Sequence, residues 1–172
     1  MSKTNKIPDF LGMAEKLNKD ASRFASGEGV TFFQNSFYNQ GFTDVAFEAW
    51  DTRSGDVDPG RKLLVQSSFL LNSIQVFSKS NERIVFGSDA EYADIHNNGG
   101  TISIAITEKS RRYFWYMFKS TGQSMWKALA LTKKDSIKIV IPKRQFIGES
   151  ATFMKQLDQW LVNTILKRFK QL

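Results

Sequence analysis

Two stretches with the helical spacing of apolar residues, one near each end of the chain, enclose a middle section of short alternating segments. The first stretch predicts a helix from about residue 7 with a stop at Gly27, followed by a shorter helix over Gly29–Tyr38. The last stretch predicts the longest helix, over Ser150–Leu172. Long helices that flank strands, instead of alternating with them one by one, are typical of an α+β fold.

The middle section predicts several strands. Alternation of apolar and polar residues indicates a hairpin and two further strands, over Ser73–Ser78, Arg83–Gly87, Thr101–Ile106 and Ser136–Ile141. Thr107–Gly122 fits either a buried strand or a helix. We favour the helix, because Thr107 can cap its start and Gly122 can end it.

The remaining segments are shorter or less regular. A narrow apolar stripe predicts a third helix over Arg61–Asn72, and Ala90–His96 predicts a short helical turn. Turn-forming residues predict a surface loop over Phe42–Gly60, which Trp50 anchors to the core. We therefore expect an α+β fold, with a small antiparallel sheet packed against helices and a long C-terminal helix. We expect one domain over residues 1–172, made of N-terminal helices (1–40), a sheet-containing core (61–149) and the C-terminal helix (150–172).

Composition excludes several kinds of chemistry. The 172 residues include no cysteine and one histidine, which rules out disulfides, thiolate metal sites and cysteine nucleophiles and leaves too few imidazoles for most catalytic zinc sites. No apolar run approaches the roughly 20 residues of a membrane span. We expect no cofactor, no small-molecule substrate and no membrane partner, in a soluble protein that acts or is assembled inside a cell.

The net charge of +7 is distributed unevenly along the chain. Residues 44–94 carry a net charge of −4, whereas residues 107–134 carry +6. Such asymmetry is typical of a surface that contacts nucleic acid, and it also lets copies of one chain attach acidic face to basic face.

Two groups of residues indicate functions other than a purely structural one, namely nucleic-acid binding and hydrolysis. Basic and aromatic residues alternate over Lys109–Lys119, so a nucleic-acid-binding module would use Lys109, Arg111, Arg112, Trp115 and the basic tail Lys167–Lys170. His96 with Asp94 two residues before it is a weaker hydrolase candidate, because the sequence shows no nucleophile for that pair. Asn97-Asn98-Gly99-Gly100 reads as a tight turn.

Four segments in a fixed order resemble one protein family. They are Phe37 with Phe47 and Trp50, the run Ser67–Ile74, the run Tyr92-Ala93-Asp94-Ile95-His96-Asn97-Asn98-Gly99-Gly100, and the run Ile141-Pro142-Lys143-Arg144-Gln145-Phe146-Ile147-Gly148. The last two resemble the Tyr-Ala-x-x-His-x-x-Gly-Gly and Ile-Pro-x-Arg-x-Phe-hydrophobic-Gly segments of the virion-morphogenesis and tail-completion proteins of Mu-like and P2-like tailed phages and prophages. Lys143 and Gln145 depart from the family pattern, which more often has Ala and Pro there.

The resemblance implies a non-catalytic structural protein of the virion, assembled in the bacterial cytoplasm, that acts in tail completion or head–tail joining. It also implies a ring of identical copies that contacts other head–tail or tail proteins, with DNA in its lumen. The family-motif residues with structural roles would be Tyr92, His96, Gly99, Gly100, Pro142, Arg144 and Phe146. We expect Lys109, Arg111, Arg112, Lys133 and Lys134 to face a neighbouring subunit or DNA, and Arg144 to reach a neighbouring carboxylate.

Overall fold

Six helices and six short strands form the described part of the chain, residues 8–53, 60–80 and 82–170 of a computed structural model. The helices are α1 (Phe10–Asn39), α2 (Phe69–Asn72), α3 (Ala93–Asn98), α4 (Glu108–Thr121), α5 (Ser124–Leu131) and α6 (Ala151–Phe169). The strands are β1 (Gly41–Thr43), β2 (Phe47–Ala49), β3 (Ile74–Lys79), β4 (Ile84–Ser88), β5 (Gly100–Ala105) and β6 (Ser136–Ile141). The contacts define two compact units: unit 1, Met1–Asn98 with Lys143–Leu172, and unit 2, Gly99–Pro142.

Helix and strand content confirms the predicted α+β class and the long C-terminal helix, which Ser150 caps by accepting from the Phe153 N–H. The strands form three separate antiparallel pairs, β1–β2, β3–β4 and β5–β6, in the described residues. The predicted hairpin corresponds to β3–β4, and the two predicted single strands pair with each other as β5–β6. No helix within the described ranges is long and apolar enough to cross a bilayer.

The predicted stop at Gly27 is wrong, because α1 continues without interruption to Asn39. The two predicted N-terminal helices are one helix of 30 residues. The prediction that the C-terminal helix is the longest is therefore wrong, since α6 has 19 residues. A glycine inside a helix costs about 1 kcal/mol relative to alanine, and packing outweighs that cost here. Gly29 is buried, and the Phe86 ring lies directly against its Cα, in the space that a Cβ would occupy.

Substituting the two helical glycines one at a time should change the free energy of unfolding in opposite directions. Gly29→Ala would drive its methyl group into Phe86, whose ring is held by Phe33 and Phe153 at centroid distances of 5.2 and 6.3 Å. We expect the free energy of unfolding to fall by about 1–3 kcal/mol, as for other overpacked cores. Gly27→Ala meets nothing within 4 Å and should raise it by about 0.5–1 kcal/mol. Urea unfolding of both variants checks this, and equal effects would contradict it.

Two other local predictions are corrected by the backbone. Only Phe69–Asn72 of the predicted helix Arg61–Asn72 is helical, because Leu64 and Ser68 both adopt left-handed φ values near +60° and such residues interrupt a right-handed helix. The predicted loop Phe42–Gly60 contains the β1–β2 hairpin, while its residues 54–59 lie outside the described residues. Trp50 does anchor this segment, since only 8% of its surface is exposed.

Aromatic side chains dominate the core of unit 1. Its buried apolar residues come from α1, the β1–β2 region, α2, β3 and α3, from the loops before α2 and α3, and from the segment after residue 143: Phe33, Phe37, Phe42, Trp50, Leu63, Leu70, Leu71, Ile74, Ala90, Ala93 and Phe146. Helix α6 lies along α1, where Trp160 stacks on Phe24 at 4.4 Å and Arg168 forms an ion pair with Asp20. Aromatic pairs of this kind add to the hydrophobic burial.

Unit 2 contains the antiparallel strand pair β5–β6, which we call the β5–β6 hairpin although helices α4 and α5 are inserted between its strands. These two helices pack against each other. The favoured helix over Thr107–Gly122 is confirmed as α4: Thr107 and Ser110 form a capping box, and Gly122 is left-handed at its end. Helix α5 was not predicted. Its eight residues have no side-chain cap, so the sequence carries no start signal for it.

Candidate functional site

The last two motif segments of the resemblance meet in unit 1, where residues 96–97 at the end of α3 join residues 144–147. The Arg144 N–H donates to the His96 carbonyl at 2.8 Å, and the Trp50 indole N–H donates to the Gln145 carbonyl at 2.8 Å. We call residues 50–51, 96–97 and 144–147 the motif junction. Its hydrogen bonds join residues 96–97 to residues 144–147 and residue 50 to residue 145, and each of them involves a backbone group, so the motif junction fixes the fold at this point.

Asn97 is the central polar group of the motif junction. Its amide oxygen accepts hydrogen bonds from the backbone N–H groups of Phe146 and Ile147, at 2.9 and 3.0 Å. One side chain therefore satisfies two donors of a segment that lies outside any helix or strand. The sequence interpretation missed this role and placed Asn97 in a turn, whereas the residue lies in the last turn of α3.

Phe146 anchors the apolar side of the motif junction. Only 1% of its surface is exposed, and its ring lies 5.0 Å from that of Phe37, which in turn meets Trp50 edge-on at 5.5 Å. Three residues of the family-like segments thus share one aromatic cluster. The expected structural role of Phe146 follows from this packing.

Arg144 is turned into the protein. Its guanidinium donates to the Asp51 carbonyl at 3.0 Å, and the residue is 8% exposed. Burial, and then the charge of Arg53, lower the pKa of Arg144 from its ordinary value, while Asp51 acts in the opposite direction. The guanidinium is thus hydrogen-bonded to a backbone carbonyl of its own chain and feels the charge of the Asp51 carboxylate, and contact with a neighbouring carboxylate stays a prediction.

His96 is held between Tyr92 and Arg144 without an acidic partner. Its ring meets Tyr92 edge-on at 5.9 Å, and its buried Nδ1 atom has no hydrogen-bond partner in the described part of the chain. Asp94, the proposed orienting carboxylate of a hydrolase, accepts from Asn98 instead. The arrangement lacks the base–carboxylate contact that nucleophilic catalysis uses.

The environment of His96 predicts a pH dependence of stability. Burial, and then the charge of Arg144, lower its pKa below the ordinary value of 6.5. The unfolded chain therefore takes up the proton at a higher pH than the folded chain does. The contribution of neutral His96 is present above pH 6.5 and is lost as the pH falls through that value.

We expect the urea midpoint of the wild type to decrease between about pH 7.5 and 5.5, and that of His96→Gln to decrease less. Because the chain has one histidine, the difference belongs to this residue. A proton NMR titration should place its pKa below 6.5. Identical slopes for both proteins would contradict the prediction.

The other family-motif residues lie at the surface or at the ends of unit 2. Tyr92 is exposed and contacts Phe69 and His96. Gly99, with φ of 71°, ends α3 in the left-handed conformation that favours glycine. Gly100 and Pro142 stand at the two ends of unit 2, and Gly100 pairs with Ile141 in the β5–β6 register.

The basic residues of unit 2 divide into two groups. Arg111 donates to the carbonyls of Ala130 and Thr132, which closes the C-terminal end of α5, and is only half-buried. These hydrogen bonds engage the guanidinium of Arg111 within unit 2. The other predicted cations of this set are exposed: Lys109, Arg112, Lys133 and Lys134. Unit 2 carries eight basic and two acidic residues, a net charge of +6 out of the +7 of the chain.

The β5–β6 hairpin has one apolar and one polar face. Ile102 pairs directly with Ile139 and Ile104 with Ile137, and directly paired residues point to the same face. Together with Ile141 they form the isoleucine face, and Ile102, Ile104 and Ile139 are 38–46% exposed. Val140 points to the opposite face. Three of the five side chains of the isoleucine face therefore leave apolar surface in contact with solvent.

Comparison with known proteins adds no relative: no family model matches the chain, and no curated protein or solved structure matches it significantly. Within the described residues, no three His, Asp or Glu side chains are grouped so that they could hold a metal ion. The site is therefore characterised by the motif junction and by the exposed surfaces of unit 2.

Proposed function

We propose that this chain is a non-catalytic virion-assembly protein of a tailed phage or prophage, acting in tail completion or head–tail joining. The observation that carries the proposal is the motif junction. It brings together the last two segments of the family resemblance and uses their polar groups for hydrogen bonds to the backbone. Such an arrangement supports a structural purpose for these residues.

The surfaces of the chain support assembly with further copies. Unit 2 is strongly basic and presents the isoleucine face, whereas residues 44–94 are acidic and expose apolar side chains of their own, at Val45, Phe47, Phe69, Phe77 and Tyr92. Unlike charges and apolar areas on the two surfaces favour contact between unit 2 of one copy and residues 44–94 of the next. Repeated head-to-tail contacts of this kind form a ring when the rotation from one copy to the next closes, and a ring is the assembly we propose.

The assembly contact can be tested with two kinds of hairpin variant. The double variant Ile102→Thr/Ile139→Thr removes apolar surface from the isoleucine face, and Val140→Thr makes the same change on the opposite face of β6. We expect the wild type and Val140→Thr to sediment as a concentration-dependent oligomer and the double variant to sediment as a monomer. Circular dichroism establishes that each variant is folded.

A wild-type chain that stays monomeric at every concentration would contradict assembly through its own surfaces. An effect of Val140→Thr as large as that of the double variant would contradict the assignment to the isoleucine face. Charge reversal at Lys133 and Lys134, both exposed, offers a second measurement, since it should weaken the oligomer most at low salt.

The role in the virion has its own test. In a lysogen that carries the gene, an in-frame deletion should give heads and tails that remain unjoined, or tails without a normal end, in electron micrographs. A complementing wild-type copy should restore complete particles. Normal virions from the deletion strain would overturn the proposed function.

A further inference from the structure

One side of α4 carries three cations and two tyrosines in a single row. Lys109, Arg112, Tyr113, Tyr116 and Lys119 follow one another at spacings of three, one, three and three, which places them on one face of a helix. We call this row the basic face of α4. All five residues are exposed, Tyr113 by 53% and Tyr116 by 66%.

The opposite side of the helix packs inside unit 2. Phe114 stacks on Trp126 of α5 at 6.0 Å, and Arg111 binds carbonyls at the end of α5. Trp115, which the sequence suggested for base stacking, lies off this face and contacts Phe118. Trp115 is 37% exposed and stands beside the row, whereas Arg111 is engaged by carbonyls of unit 2. The structure adds Tyr113, Tyr116 and Lys119 to Lys109 and Arg112 as exposed residues.

We propose that the basic face of α4 binds single-stranded nucleic acid. Cations bind the phosphates of any nucleic acid, whereas exposed aromatic rings between them can stack on bases only where the bases are unpaired. The row extends over about 15 Å of helix at 1.5 Å per residue, enough for a few nucleotides. This inference does not depend on the proposed role in virion assembly.

Two other partners fit the surface less well. A lipid surface takes up a broad apolar face beside the cations, but the apolar side chains Phe114 and Phe118 of α4 lie on its other side, against Trp126 and Lys127 of α5. An acidic protein would satisfy the cations and leave the two tyrosines without bases to stack on. The one acidic residue of α4, Glu108, lies 3.5 Å from Arg112 and competes for it.

The test is fluorescence anisotropy with a labelled oligo(dT) and the full chain across a salt series. Three phosphate contacts predict a slope of log K against log[salt] of about −2, and Arg112→Gln/Lys119→Gln should reduce it by about 1 or more. Tyr116→Leu should weaken binding about fivefold or more through the loss of stacking, whereas Tyr116→Phe should bind as the wild type does. Glu108→Gln should bind more tightly than the wild type.

Matched controls lie in unit 1. Tyr38 is 55% exposed and has Lys62 within 5.7 Å of its ring, so Tyr38→Leu removes a similar tyrosine next to a cation, and it should leave binding unchanged. Tyr116→Leu should not weaken the binding of a DNA duplex of the same length. The proposal would be overturned if Tyr116→Leu lost the same affinity for the duplex as for the single strand. It would also be overturned if polyglutamate or anionic vesicles bound as tightly as oligo(dT), or if oligo(dT) did not bind at low salt. Because the oligomer test uses hairpin variants, the two proposals fail separately.

Discussion

Phe146→Ala is expected to lower the free energy of unfolding by about 3–5 kcal/mol, the usual cost of removing a fully buried aromatic ring. Phe146 is 1% exposed and packs on Phe37, which is itself completely buried. The chain on either side of Phe146 is fixed by the hydrogen bonds of Gln145 and Ile147. The cavity therefore cannot close by a local backbone shift, and the cost should lie in the upper part of that range.

The measurement is urea unfolding followed by circular dichroism, with Phe169→Ala as the matched control. Phe169 stacks on Phe10 at 6.4 Å near the end of α6 and is 55% exposed, so its removal should cost less than about 1 kcal/mol. If the two alanine variants were equally stable, the packing assigned to Phe146 would be wrong. Phe146→Leu should recover part of the loss because it refills part of the volume.

Asn97→Ala is expected to cost about 2–4 kcal/mol. The substitution removes the acceptor of two backbone N–H groups, those of Phe146 and Ile147, in a partly buried segment. A buried donor left without an acceptor costs about 1–3 kcal/mol. The expected loss is large for a polar residue, since both donors lose the same partner at once.

Asn97→Asp separates the hydrogen bonds from the size of the side chain. Aspartate keeps an acceptor oxygen at the same position, so this variant should retain most of the stability at neutral pH. Asn98→Ala is the second control, because Asn98 is exposed and its side chain donates to Asp94 and accepts from the Asn97 amide nitrogen at 3.2 Å, so the acceptor oxygen of Asn97 is left in place. It should cost less than about 1 kcal/mol. An Asn97→Ala variant as stable as Asn98→Ala would contradict the role of Asn97.

These stability tests also bear on the proposed assembly role. The motif junction lies in unit 1, whereas the isoleucine face and the basic face of α4 lie in unit 2. Substitutions in the motif junction are expected to change the stability of unit 1. Substitutions on the two exposed faces are expected to change association and nucleic-acid binding without a large change in stability, since their side chains reach solvent.

Local sequence signals predicted the elements that are capped by their own residues. The start of α6 at Ser150, the capping box of α4 at Thr107 and the alternation in β5 and β6 all depend on neighbours along the chain. A cap or a period of two needs no distant partner. The α+β class followed from the order of these elements.

Contacts between residues distant in sequence decided where some helices continue or stop, which local signals could not predict. Gly27 and Gly29 are indistinguishable in the sequence, yet one is exposed and the other accommodates the Phe86 ring, which keeps α1 in one piece. The left-handed residues Leu64 and Ser68 carry no local signature of the kind that glycine gives. The prediction of a helix over Arg61–Asn72 failed for that reason.

For the candidate sites, too, some features follow from the sequence and others follow only from the tertiary structure. The sequence by itself determined that positive charge concentrates in residues 107–134 and that cysteine chemistry is absent, and it singled out Tyr92–Gly100 and Ile141–Gly148 through a resemblance. Only the tertiary structure decided that Asn97 joins the two motifs, that Arg144 and Arg111 bind carbonyls of their own chain, and that Tyr113 and Tyr116 remain exposed. The physical reason is that composition sets which charges and rings the chain carries, whereas packing decides which of them are used inside the fold and which are left for a partner.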